Sequence, residues 1–160
     1  MIWWRELPLL VALTLIALVL KLLPVPLPVD ALRPHWLLLV LTAWTLRRET
    51  YLVLPMAMAS GLVLDATRGV TLGLHCVALL VPLALMLHWR SLLRAIPLWQ
   101  STLVAAALFA VYAGLLSLLD TMTGEHSQLS AHWWPILFSV PLWPIFVLLL
   151  RPRPVAQQTA

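Results

Sequence analysis

The chain has 160 residues, 62% hydrophobic and 10% charged, with a mean hydropathy of +0.98. A soluble domain runs at about 45–50% apolar and about 25% charged, so too little polar sequence is present to cover a water-soluble core. The composition excludes an ordinary soluble domain and predicts an all-α integral membrane protein, one compact domain over residues 1–160 with about six transmembrane helices. The net charge of +4 does not point to nucleic acid, because the Lys and Arg residues are scattered at the ends of apolar segments, where they set orientation in a bilayer. Cys76 is the only cysteine, which excludes an intramolecular disulfide and a zinc-type cysteine cluster.

The first apolar span, residues 7–23, carries Pro8 near its start, where a missing N–H costs little, and Lys21 near its end. No small-residue cleavage signal follows the N-terminus, so this helix is expected to be retained. Pro24, Pro26 and Pro28 then favour an extended connector. The second span, residues 34–46, and the third, residues 51–66, flank the charged turn Arg47-Arg48-Glu49. The second is about 20 Å long against a hydrocarbon core of roughly 30 Å. The two form either a thin hairpin or a re-entrant pair. The fourth span, residues 71–89, should kink at Pro82, and Arg90 and Arg94 follow in a polar turn. The fifth covers residues 98–119, and a polar loop with Asp120, Glu125, His126 and His132 leads to the sixth, residues 133–150. Pro135, Pro141 and Pro144 promise an irregular helix there, and residues 151–160 a short cytoplasmic tail.

Basic residues divide between the two ends of these spans. Arg5, Arg47, Arg48, Arg90, Arg94, Arg151 and Arg153 fall on one side, and Lys21, Arg33 and Arg68 on the other. This bias places both termini in the cytoplasm. Trp3, Trp4, Trp44, Trp89 and Trp99 at the inner ends, and Trp36, Trp133 and Trp134 at the outer ends, read as aromatic belts, whereas Trp143 falls deep in a span. Ala106, Ala110 and Gly114, and likewise Ala57 and Gly61, recur at four-residue spacing, as do Gly69 and Gly73. Such rows let helices approach closely, either within the molecule or against a partner helix.

Ionisable residues, glycines and a histidine crowd together only in the segment from Gly61 to Cys76, between two strongly apolar spans. Asp65 and Arg68 stand at i and i+3, close enough to pair if the helix continues that far. They read as helix caps at the interface, as a ligand or proton site, or as a conformational or partner-binding junction. Gly69 and Gly73 permit a sharp turn. His75 is expected to be a hydrogen-bonded packing residue.

Three stretches resemble the rod shape-determining protein MreD family: Arg33-Pro34-His35-Trp36, the run from Gly61 through Asp65, Gly69 and Gly73 to His75, and Leu98-Trp99-Gln100. The length and hydropathy layout resemble it over the whole chain. Arg68 departs from the small or polar residue expected at that place. The resemblance implies a non-enzymatic subunit of the rod-shape complex in the bacterial inner membrane. It implies MreC as principal partner, with MreB, RodA and its partner transpeptidase in the same complex, and a likeness to the substrate-binding subunits of energy-coupling-factor transporters.

No Gly-x-Ser-x-Gly, no His-Glu-x-x-His and no metal-ligand spacing is present, so neither an active site nor a cofactor or metal site is expected. A small-molecule or lipid-precursor transporter subunit is the alternative. It would need a richer intramembrane polar inventory, and Ala12 and Ala17 lie five apart where transporter subunits of that kind carry Ala-x-x-x-Ala. The scaffold reading fits better. Arg-rich turns suit membrane lipids or an acidic filament, Trp133 and Trp134 offer an outer-face surface, and the junction of Asp65, Arg68, Gly69, Gly73 and His75 would hold the third and fourth helices in docking geometry.

Overall fold

The computed structural model describes residues 3–24, 33–47, 52–69, 71–124 and 130–150. Within them lie six helices and no strand: α1 (Trp3–Leu22), α2 (Trp36–Arg47), α3 (Val53–Arg68), α4 (Leu74–Ala95), α5 (Leu98–Thr123) and α6 (Ser130–Leu150). Three are long and apolar enough to cross a membrane, α4, α5 and the Trp133–Leu150 part of α6, while Leu7–Leu22 and Trp36–Leu46 are shorter apolar helices. Large apolar side chains stand on their outward faces: Val77 of α4 is 47% exposed, Leu103 of α5 62% and Leu149 of α6 76%. Water would not tolerate such a surface on a stable monomer; lipid does.

The thin second span is the core of the bundle. Every residue from Leu37 to Thr45 is buried, with α2 packed against α1, α3, α4 and α6. A helix apolar all round is one surrounded by protein. Its 12 residues span about 18 Å. It begins part-way down its neighbours: the His35 N–H donates to Ser139 Oγ at 2.9 Å, and Ser139 lies about 14 Å along α6 from Ser130. Ser139 in turn donates to the Pro135 carbonyl at 2.8 Å. At the far end Arg94 Nε donates to the Leu46 carbonyl at 2.9 Å, a cation at a helix C-terminus. Trp143, fully buried, donates its indole N–H to Thr42 Oγ1 at 3.3 Å, joining α6 to α2.

Several expectations change. Trp44 is 2% exposed, so it is a core residue and not part of an interfacial belt; α2 has neighbours on all sides. Trp36 is half-buried against Phe146 (ring centroids 6.3 Å apart). Trp89, Trp99, Trp133 and Trp134 are exposed as a belt requires, and the side chains of Trp3 and Trp4 lie outside the described residues. α1 begins at Trp3, so Pro8 sits inside the helix, beyond the first turn. α4 continues past Arg90 and Arg94 to Ala95, with the turn made by Ile96 and Pro97. α5 continues past Asp120 and ends at Gly124 in the left-handed conformation (φ 76°). α6 is a continuous helix through Pro135, Pro141 and Pro144. The Glu125 and His126 positions, the His132 side chain and the residues 151–160 tail lie outside the described residues.

The small residues divide by role. Ala57 and Gly61 are buried, and a Cβ on Gly61 would stand 2.8 Å from the Cys76 Cα and N. Only glycine lets α3 and α4 approach this closely. Ala106, Ala110 and Gly114 are half-buried, with nothing within 4 Å of a Cβ placed on Gly114. The contact face of α5 is the adjacent row of Ala105, Leu108, Phe109, Tyr112, Ala113 and Leu116.

Candidate functional site

α3 ends because Gly69 takes the left-handed conformation (φ 67°), its N–H bonding to the Asp65 carbonyl. The chain re-enters helix at Gly73, again left-handed (φ 101°). Gly73 has no side chain to accept from the first N–H groups of α4, which a helix N-terminus leaves without internal partners. Asp65 supplies that acceptor from the preceding helix. Its Oδ2 accepts from the Gly73 N–H at 2.8 Å and its Oδ1 from the His75 N–H at 3.1 Å. The carboxylate is fully buried, and the positive end of the α4 dipole offsets part of its desolvation.

The His75 ring completes the cluster. Nδ1 lies 2.7 Å from Asp65 Oδ1, and Nε2 lies 3.3 Å from Arg68 NH1. A carboxylate can only accept and a guanidinium can only donate. These partners therefore assign the proton to Nδ1 and the lone pair to Nε2. Arg68 thus reaches Asp65 through the imidazole, not by the direct i, i+3 pairing expected from spacing. Asp65 and His75 are buried, while Arg68 is exposed at the helix end. Cys76, next in α4, donates Sγ–H to the Met58 carbonyl at 3.3 Å, beside the close approach at Gly61.

The five junction residues are therefore brought together, with different tasks. Asp65 is an acceptor for another helix's N-terminus, Gly69 and Gly73 provide backbone conformations, His75 bridges, and Arg68 closes the exposed side. Ala57 and Gly61 support the same hairpin from below. Trp133 and Trp134 stand apart, 44% and 51% exposed. With Ala110, Ile136 and Leu137 they line an apolar groove of about 350 Å³ between α5 and α6.

Sequence reasoning passed over the second polar set, where His35 meets Tyr112 edge to face (centroids 4.9 Å, planes at 76°) and Ser139 receives the His35 N–H. His35, Ser139 and Tyr112 come from separate stretches, and no spacing rule joins them. Among the described residues no group of three or more His, Cys, Asp or Glu stands close enough to hold a metal ion. A trapped carboxylate whose acceptor sites face two main-chain N–H groups and an imidazole is built to fix geometry.

The family model described as rod shape-determining protein MreD matches residues 5–153. The rod shape-determining protein MreD of Haemophilus influenzae is 31% identical over 139 residues, covering 85% of this chain and 84% of that protein. No solved structure matches. A match over nearly the whole chain, on a membrane-type helical bundle, places this protein in the MreD family of rod shape-determining proteins.

Proposed function

We propose that this protein is a non-enzymatic subunit of the rod-shape complex in the bacterial inner membrane, with both termini cytoplasmic. In this reading it docks MreC and links it to MreB and to RodA with its partner transpeptidase. The observation that carries it is the Asp65 cap on α4, which ties the end of one helix to the start of the next through a buried carboxylate. That contact fixes the angle of the α3–α4 hairpin, which a docking subunit must present unchanged to a partner. Family membership supports the rod-shape role. The Lys and Arg bias supports the orientation, and the apolar groove beneath Trp133 and Trp134 supports contact with a partner within or beside the membrane.

The test is affinity purification of the tagged full chain from native membranes, with quantitative mass spectrometry. MreC should be recovered in fixed ratio together with the rod-complex synthases, and Asp65→Ala should lower that ratio at equal protein level. Recovery of an ATPase pair in place of rod-complex proteins would replace this reading with the transporter one.

A further inference from the structure

Asp65 and Arg68 hold His75 from opposite nitrogens, and only one protonation state of the ring satisfies both. Nδ1 must carry a hydrogen to donate to Asp65 Oδ1 at 2.7 Å, and Nε2 must keep its lone pair to accept from Arg68 NH1 at 3.3 Å. Histidine is the side chain whose unperturbed charge change falls between pH 5 and 8. A second proton would place an N–H on Nε2, facing a guanidinium that has no acceptor. The contact becomes donor against donor and cation against cation.

The two arms do not resist this equally. Nδ1–H to Oδ1 turns into a charge-assisted bond when the ring is positive, and so strengthens. Asp65 is also fully buried and held by two main-chain N–H groups. Arg68 is exposed at the end of α3, with water or headgroups to turn to. The arm that gives way is Arg68. We propose that the Asp65–His75–Arg68 cluster is a proton-operated release for Arg68, in which protonation of His75 frees the guanidinium to the surface while the Asp65 cap on α4 stays closed.

The charges acting on His75 are Lys21 from α1 and Asp65 and Arg68 from α3. From α5, Tyr112 and Asp120 belong to the same end of the bundle, Tyr112 lying within electrostatic reach of Arg68, Asp65 and Asp120; α2 contributes His35, packed on Tyr112. The inference rests on the geometry of the junction alone, so its test is independent of which partners the protein recruits.

The experiment is solid-state NMR on the full chain in lipid bilayers, with 15N-labelled histidine and arginine, as a function of pH. The His75 signals are those displaced by Arg68→Met, a change at an exposed side chain that leaves the buried cap intact. Above the titration, His75 should show a protonated Nδ1, a bare Nε2 and a through-hydrogen-bond correlation to an Arg68 Nη. Below it, both ring nitrogens should be protonated, that correlation lost and the Arg68 signals those of a solvated guanidinium, while the Nδ1–H contact with Asp65 persists. A proton on Nε2 at high pH, a correlation that survives full protonation, or loss of the Asp65 contact before that of Arg68 would each overturn the proposal.

Discussion

Replacing Asp65 with Ala removes one acceptor side chain and strands three donors: the Gly73 N–H, the His75 N–H and His75 Nδ1–H. Each buried donor left without a partner costs about 1–3 kcal/mol. Two effects reduce the sum, since the buried carboxylate no longer has to be desolvated and the ring can shift its proton to Nε2. A net loss of about 2–4 kcal/mol follows. Asp65→Asn keeps one acceptor oxygen but turns an NH2 toward a donor, so it should fall between Ala and wild type. Equilibrium unfolding of the purified protein in mixed micelles, followed by tryptophan fluorescence, gives the free energies. Amide hydrogen exchange locates the damage, which should appear first at Gly73 and His75 and not in α2. A stability of Asp65→Ala within about 0.5 kcal/mol of wild type, with unchanged protection at those amides, would refute the capping argument.

Gly61→Ala should lose about 1–3 kcal/mol in the same unfolding measurement, because its methyl would press on Cys76 backbone atoms 2.8 Å away, whereas Gly114→Ala, with open space at its Cβ, should be neutral or gain up to about 1 kcal/mol from helix propensity. Ser139→Ala takes the acceptor from the buried His35 N–H and should cost about 1–3 kcal/mol, with faster exchange of the His35 amide as the local signature. The double variant Asp65→Ala with Ser139→Ala should be additive within about 0.5 kcal/mol, since the two caps share no hydrogen-bond partner. A coupling above about 1 kcal/mol, read from the complete double-mutant cycle, would mean that α2 and the α3–α4 hairpin move as one body.

The helical membrane class was legible because hydropathy is summed over whole segments, and no single residue can reverse it. The position of α2 was written in the sequence as well: a 12-residue stretch apolar on every face is short for a bilayer but right for the centre of a bundle. Reading its shortness as a property of the membrane crossing, and Trp44 as a belt residue, followed from treating each span by itself. The junction was legible as a concentration of unusual residues, but its wiring was not. Spacing along α3 pairs Asp65 with Arg68, and it carries no information about where the start of α4 returns in space. A signal was present in Gly73, a helix start without a capping side chain, preceded eight residues earlier by an acceptor with no other evident use. The pairing of His35 with Ser139 and Tyr112 had no comparable sign, because it depends on how far down its neighbours α2 begins.

Capping between helices explains why these particular polar residues are tolerated in so apolar a chain. In lipid a helix end cannot borrow hydrogen bonds from water, so a helix that stops inside the apolar layer must have its terminal groups met by side chains of the protein. Among the described residues four helix ends are met by a side chain of another segment: two enclosed contacts, Asp65 at the start of α4 and Ser139 at the His35 N–H before α2, and two exposed ones, Arg94 at the end of α2 and Arg33 NH1 on the Leu23 carbonyl just after α1 at 2.7 Å. Each side chain comes from a different segment than the end it serves, so each contact is also a tie between segments. Packing of apolar helices in lipid lacks the hydrophobic drive that fixes geometry in water. Directional bonds at the helix ends can set it instead, and Asp65, fully buried like Ser139, acts on the same hairpin as the close backbone approach at Gly61. Where α3 turns into α4, a buried acceptor and a glycine contact thus constrain the same hairpin, and Arg68 is the exposed side chain that closes the cluster.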